Sequence, residues 1–406
     1  MEQSTRGFLL LLRDAMRSAA PSAEAVEVVR ALSTEEIEAL LQLAQMQNVL
    51  PLVGGHLLLA CPDFADADRL RSTLRQQVVR QSLCSVELLS MTRAFEAKKV
   101  PYFLVKGAFC RSLYPEPDLR PSSDEDLLVE PEFYAAAEDV LRELGYRFAE
   151  EQSGEQVHAW QGKLLHLELH SHLLKDRKIR ILGEKEYFGP DFPQTDSFRF
   201  QETSISTLKP QAHLLFLIAH FYGHFLAGGV GIRQLCDLAL MAERYEAELD
   251  WAQIWQTLRT LALDVFTGSL LEIAVRFLGM PRQAAPLPEG LSLPDCEPLL
   301  WDMLGAGVFG GSSKERKQSS LMTIEAAKTG RRASPLAAAF PPARVLQGRY
   351  PYLQKHPWLL PVAWGSRAAR YLSGGGAAAR AEESAKIGSQ RMALLEAYGI
   401  LSLKEE

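Results

Sequence analysis

The helical periodicity that governs most of this chain breaks off between residues 99 and 200. Ahead of the break, Leu70, Leu74, Val78, Leu83, Val86, Leu89 and Phe95 recur near the spacing of one helix face. Inside it, the apolar runs shrink to strand length. Tyr102-Phe103-Leu104-Val105 is bounded by Pro101 and Gly107, and Asp126-Leu127-Leu128-Val129 follows a proline-rich loop. Between them the spacing predicts a short helix over about 107–114. Glu132 to Leu144 reads as a helix with Gly145 as its left-handed cap. Arg147–Glu150, Val157–Gln161 and Leu164–His170 read as a strand meander, with Ser153-Gly154 and Gly162-Lys163 as turns. The expected fold class is therefore α/β in the α+β sense. A small mixed sheet stands between helical segments.

Those segments divide the chain. Residues 1–98 form an N-terminal helical region in which Ser33 and Glu36 make a capping box. Residues 99–200 are the mixed core. Residues 201–280 are helical again, with Pro210 suited to a first turn, Asp250 capping toward Gln253, and Gly279 and Pro281 as stops. Residues 281–406 read as a linker and a mixed, helical C-terminal region that contains Gly374-Gly375-Gly376.

Composition narrows the classes. At 406 residues, 47% hydrophobic and 23% charged, the chain has material for two or three cored units. A net charge of -6 argues against a broad nucleic-acid-binding surface. Five scattered cysteines without a CxxC pair fit reduced thiols in a cytoplasmic protein better than disulfides or a zinc knuckle. The apolar run Phe8 to Leu12 is far short of the roughly 20 residues that span a bilayer. It reads as a buried helix face and not as a signal peptide. No transmembrane segment is expected. Near the end, Arg367, Arg370 and Tyr371 suit either a packed helix or contact with a membrane surface or acidic partner.

The chemistry concentrates around Arg120-Pro121-Ser122-Ser123-Asp124-Glu125-Asp126. Alternate residues of a strand share a face, so Asp124 and Asp126 present two carboxylates together while Glu125 points away. Such a pair can hold divalent ions that neutralise triphosphate oxygens, and oxygen ligands suit Mg2+ or Mn2+. The alternation of Leu165-His166-Leu167-Glu168-Leu169-His170 puts Glu168 and His170 on one face. Glu168 is the candidate third metal ligand if the two strands are neighbours. Lys106-Gly107 stands between a strand and a helix, where glycine lets backbone N–H groups approach a phosphate. Arg120, Ser122 and Ser123 are further candidates for phosphate contact. His213, His220 and His224 fall on one stripe of a helix. His220 and His224 are candidates to line the cleft or, at their i, i+4 spacing, to bind zinc. Arg233 and Asp237 are also i, i+4, which is the spacing of a helix-surface ion pair, although they can also reach an acceptor.

The order strand, Lys106-Gly107, helix, Tyr114, loop, Arg120, Asp124-x-Asp126, strand resembles the DNA polymerase β-like nucleotidyltransferase superfamily. With Glu168-Leu169-His170 and Cys236-Asp237-Leu238-Ala239, it resembles more narrowly an uncharacterised bacterial nucleotidyltransferase family, over about residues 85–280. The resemblance implies transfer of a nucleotide from an NTP such as ATP to an acceptor hydroxyl, with pyrophosphate leaving. Asp124, Asp126 and Glu168 would be the metal-binding catalytic residues. Lys106, Gly107, Arg120, Ser122 and Ser123 would contact phosphate. A small-molecule or protein acceptor fits the acidic charge better than a nucleic acid. The match departs at Ala108, where the superfamily has serine or glycine, and at Glu168, where aspartate is commoner. Those departures support an alternative, a non-catalytic nucleotide-binding or scaffold protein. The histidine stripe supports a second alternative, a histidine-based metallohydrolase.

Overall fold

The computed structural model describes residues 2–17, 20–122, 124–152, 157–173, 184–188, 192–307, 316, 323–324, 326, 343–347, 350–372 and 377–400. It opens with helices α1 (Gln3–Ala15), α2 (Ala23–Arg30), α3 (Thr34–Met46), α4 (Leu50–Ala60) and the long α5 (Ala67–Ala97). Phe8, Leu11 and Leu12 are fully buried, so the N-terminal apolar run is a core helix packed on α3 and α4. The capping box of α3 is present, with Ser33 Oγ accepting from Glu36 N–H at 3.2 Å and Glu36 Oε2 accepting from Ser33 N–H at 2.8 Å.

A five-stranded sheet follows in the order β1-β2-β5-β4-β3. Its strands are β1 (Phe103–Leu104), β2 (Asp124–Leu128), β3 (Arg147–Gln152), β4 (Val157–Gln161) and β5 (His166–His170). The first strand is shorter than the apolar run, and α6 (Ala108–Ser112) leaves it almost at once. The sheet is mixed. β2 runs parallel to β5 and the other pairs are antiparallel. A crossover links the parallel pair, and it carries α7 (Tyr134–Glu143) and the β3–β4 hairpin. Gly145 closes the end of α7 with φ +83°. The leucine face of β5 is fully buried at Leu165, Leu167 and Leu169. α7 covers that face, placing the Arg142 guanidinium over the Trp160 ring and donating a bond from its Tyr134 Oη to the Leu169 carbonyl at 2.7 Å.

Beyond α8 (Glu184–Phe188), the hairpin β6 (Thr195–Phe200) and β7 (Thr203–Leu208) packs beside β1, with Thr207 Oγ1 donating to the Leu104 carbonyl at 2.7 Å. Helices α9 (Pro210–Ala227), α10 (Ile232–Arg244), α11 (Trp251–Thr260), α12 (Asp264–Leu278) and α13 (Glu297–Ala306) follow. Asp250 caps α11 through Gln253 N–H, and Gly279 ends α12 at φ +67°. One continuous apolar core joins the N-terminal helices, the sheet and α9–α13. Arg17 ties the ends of this assembly together, donating to the Leu278 carbonyl and pairing with Glu243, each at 2.5 Å. A separate small core of Leu346, Tyr350, Leu353 and Ala363 lies in the C-terminal region. No described helix is long and apolar enough to cross a membrane. Ser153-Gly154, Gly374 to Gly376 and the side chains of Arg367, Arg370 and Tyr371 lie outside what is described.

Candidate functional site

The alternation of β2 separates its acidic residues. Glu125 turns into the protein and is fully buried, while Asp124 and Asp126 face the other way. The register pairs Asp126 with Glu168 and Leu128 with His170 across the parallel strands. Asp126, Glu168 and His170 therefore meet, whereas Asp124, paired with His166, is not part of that cluster among the described residues. The ligand atoms of Asp126, Glu168 and His170 lie within 4.8 Å of one another. His170 Nε2 is 3.0 Å from Asp126 Oδ1 and 3.5 Å from Glu168 Oε2. Its Nδ1 is buried with no hydrogen-bond partner among the described residues.

Lys106 closes the acidic side. Its Nζ is 2.8 Å from Asp126 Oδ2 and 3.3 Å from Asp124 Oδ2. Burial alone would lower the Lys106 ammonium, but Asp126 and Asp124 outweigh it and hold the pKa above its ordinary value. The same contacts reverse the effect of burial on the carboxyls. Lys106, with Arg233, holds Asp124 below the usual range. Lys106, with His170, holds Asp126 well below it. Both aspartates are thus ionised at neutral pH. An oxygen-rich set that already stabilises an ammonium fits a hard divalent cation, with His170 as a nitrogen ligand or a brace on Asp126. Lysine and metal would compete for the same oxygens.

The turn before α6 has a different use from a bare phosphate cradle. Gly107 sits at φ +61°, and a Cβ there would fall 1.9 Å from Glu125 Oε2. Glycine is required because the Glu125 carboxyl presses against this backbone and accepts the Ala108 N–H at 2.8 Å. Burial pushes the Glu125 carboxyl up to about 8, against the Ala108 bond and the Arg111 charge. Ser122 also has protein partners. Its N–H donates to Gln81 Oε1 at 2.7 Å, and its Oγ donates to the Asp124 carbonyl at 3.2 Å. Ser123 lies outside the described residues.

Arg120 is 1% exposed and forms a two-point ion pair with Asp237, at 3.1 Å and 2.5 Å. Tyr114 Oη donates to the same carboxylate at 2.9 Å. The expected surface pair of Arg233 with Asp237 does not form, because both side chains are buried and Asp237 faces the loop before β2. Spacing along one helix shows only local neighbours. The sequence did hold a signal, namely two charges on the otherwise buried face of α10.

A cleft open to solvent, about 480 Å³ with the open solvent at its mouth included, lies beside Asp124; Asp126, Glu168 and His170 do not line it. Lys106, Arg120 and Asp124 line it from β2 and the segments before it, and His220, His224 and Arg233 line it from α9 and α10. The His220 and His224 rings are 4.4 Å apart. They do not join the three-ligand cluster found among the described residues. His213, on the same stripe, is elsewhere. It is fully buried, stacks on Phe109 at 3.6 Å, and bonds the Val105 carbonyl at 2.8 Å. Burial pushes its pKa down to about 3, so it is neutral.

Residues 33–279 match the family described as "uncharacterised nucleotidyltransferase". The chain belongs to this family. The match spans α3 to the end of α12 and so contains every residue of the cleft named above. No curated protein and no solved structure matches the chain. Membership of this nucleotidyltransferase family assigns the chain a general role in nucleotidyl transfer, and the mixed sheet with helical flanks is consistent with it.

Proposed function

We propose that this nucleotidyltransferase moves a nucleoside monophosphate from an NTP to an acceptor hydroxyl with release of pyrophosphate, using divalent metal held by Asp124, Asp126 and Glu168. The observation that carries the reading is the pairing of Asp126 with Glu168 across adjacent parallel strands, beside Asp124 and under Lys106. A bound Mg2+ or Mn2+ would supply charge neutralisation of the triphosphate and polarise the attacking hydroxyl. The chain's own groups do the rest. Asp126 is held in place by His170. Glu168, at the solvent-reached edge of the cluster, is placed to accept the acceptor's proton. Lys106, now on Asp124 and Asp126, would contact phosphate oxygens once those carboxylates held a cation. Residues 99–200 act as the catalytic core and 201–280 close the cleft. The free cysteines, four of them buried, suit a reducing cytoplasm. The net charge favours a small-molecule or protein acceptor over a nucleic acid.

A non-catalytic nucleotide-binding role is favoured by one observation. The Ala108 N–H, which a phosphate would use, is bonded to Glu125. Titration of the wild type with Mn2+, followed by loss of the free-ion paramagnetic resonance signal, tests the metal assignment with and without ATP. The expected result is binding that strengthens with ATP and disappears in Asp126→Asn. Mn2+ binding that is equal in both proteins would sink the assignment. Binding of metal and ATP without pyrophosphate release across a panel of acceptors would favour the non-catalytic role.

A further inference from the structure

We propose that Arg233 is the polyphosphate-binding residue of the cleft, its guanidinium holding the charged tail of a nucleoside triphosphate. This deepens the nucleotidyl-transfer reading and rests on it. Three lysine and arginine side chains line the cleft, and two have carboxylate partners. Lys106 has Asp124 and Asp126, and Arg120 has Asp237. Arg233 has none within ion-pair distance among the described residues. Among the described residues its Nη1 donates to the Pro121 carbonyl at 2.5 Å. Its Nε is buried and has no hydrogen-bond partner among the described residues. The residue is only 3% exposed.

Arginine keeps its proton even when buried, so neutralisation offers no escape. A buried charge without an ion-pair partner is costly, and the neighbouring Arg120 adds repulsion. Burial and Arg120 both pull the Arg233 guanidinium down, against Asp237 and Asp124. The cleft itself supplies the missing element only when a ligand enters. The guanidinium fork matches phosphate oxygens in two-point geometry. Asp124 and Asp126, on β2, call for a cation. A metal-bound polyphosphate satisfies both sides at once, and a simple carboxylate ligand does not. His220 and His224 line the same cleft.

Calorimetric titration of the full-length wild type, Arg233→Gln and Arg233→Lys tests the assignment. The probes are each NTP with Mg2+, inorganic tripolyphosphate with Mg2+, and adenosine alone. For Arg233→Gln, affinity for NTP and tripolyphosphate should fall roughly 10- to 150-fold, the range of a lost charge-assisted bond. Arg233→Lys keeps the charge without the fork and should lose about one decade. Any adenosine affinity should not move. If either variant binds tripolyphosphate as tightly as wild type, or if the loss falls equally on adenosine, the assignment is wrong while the nucleotidyltransferase reading stands. Tripolyphosphate binding that depends on Arg233, with no NTP bound, keeps the anion site and removes that reading. A wild type that binds neither removes both.

Discussion

The two sides of the site are built on opposite terms. The sheet side gathers Asp124, Asp126, Glu168 and His170 from two neighbouring strands, so its geometry follows from strand register. The helical side presents His220 and His224 from α9 and Arg233 from α10, whose positions depend on how helices dock. One side holds a cation in place, in this structure the ammonium of Lys106. The other has a buried guanidinium with no carboxylate within ion-pair distance among the described residues. The contrast teaches that cation and anion sites are separate pieces of the fold, joined where Arg120 of the sheet side grips Asp237 of the helical side.

That junction gives the largest expected effect. Arg120→Ala strands the Asp237 carboxylate in a buried site with Tyr114 as its remaining hydrogen-bond partner there. Breaking a buried pair costs about 3–5 kcal/mol. Urea unfolding should show a loss of that size. A change below about 1 kcal/mol would mean the two sides are held together without this pair.

The helical side can be split further through pH. His213 shares a helix with His220 and His224 but lies under the sheet, neutral, with its pKa pushed down to about 3. The unfolded chain takes up a proton near the ordinary value of 6.5 and the folded chain does not, so acid favours unfolding. The stability this residue supports is complete above pH 6.5 and is lost as pH falls toward 3, by up to about 1.4 kcal/mol per pH unit. Denaturant midpoints of wild type and His213→Gln across that window should converge as pH falls. Parallel curves would show that His213 is not held neutral.

The sheet side has a smaller, sharper test. His170 braces Asp126 at 3.0 Å. His170→Gln should weaken Mn2+ binding by about 10- to 100-fold without unfolding the protein, the usual cost of losing such a brace. Unchanged Mn2+ affinity would separate His170 from the metal site.

The same division explains what the sequence made legible. The alternation of Leu165 to His170 and the Asp124-x-Asp126 spacing are strand properties, and both faces came out as the period of two requires. The α3 capping box, the α11 cap at Asp250 and the glycine stop after α12 depend on a few adjacent residues, and they formed as read. Contacts between distant segments were not legible. Arg120 and Asp237 are separated by 117 positions, and no local rule joins them. The spacing of Arg233 and Asp237 pointed instead to each other, because helical periodicity knows nothing of the loop that docks beside α10. Helical periodicity also put three histidines on one stripe but could not show that the stripe passes under β1 at His213 and reaches the cleft only at His220 and His224. Gly107 was readable as a close approach, but the group approaching it is the Glu125 carboxyl.

The central claim is that Asp124 and Asp126 bind a metal–nucleotide complex, and thermal unfolding with each NTP in Mg2+ or Mn2+ tests it most directly. A ligand that binds the folded chain raises its apparent stability by mass action. The account predicts that at least one NTP raises the melting temperature of wild type only when metal is present, and that Asp124→Ala/Asp126→Ala abolishes the shift. No shift with any NTP and metal, or a shift that survives in the double variant, would contradict it.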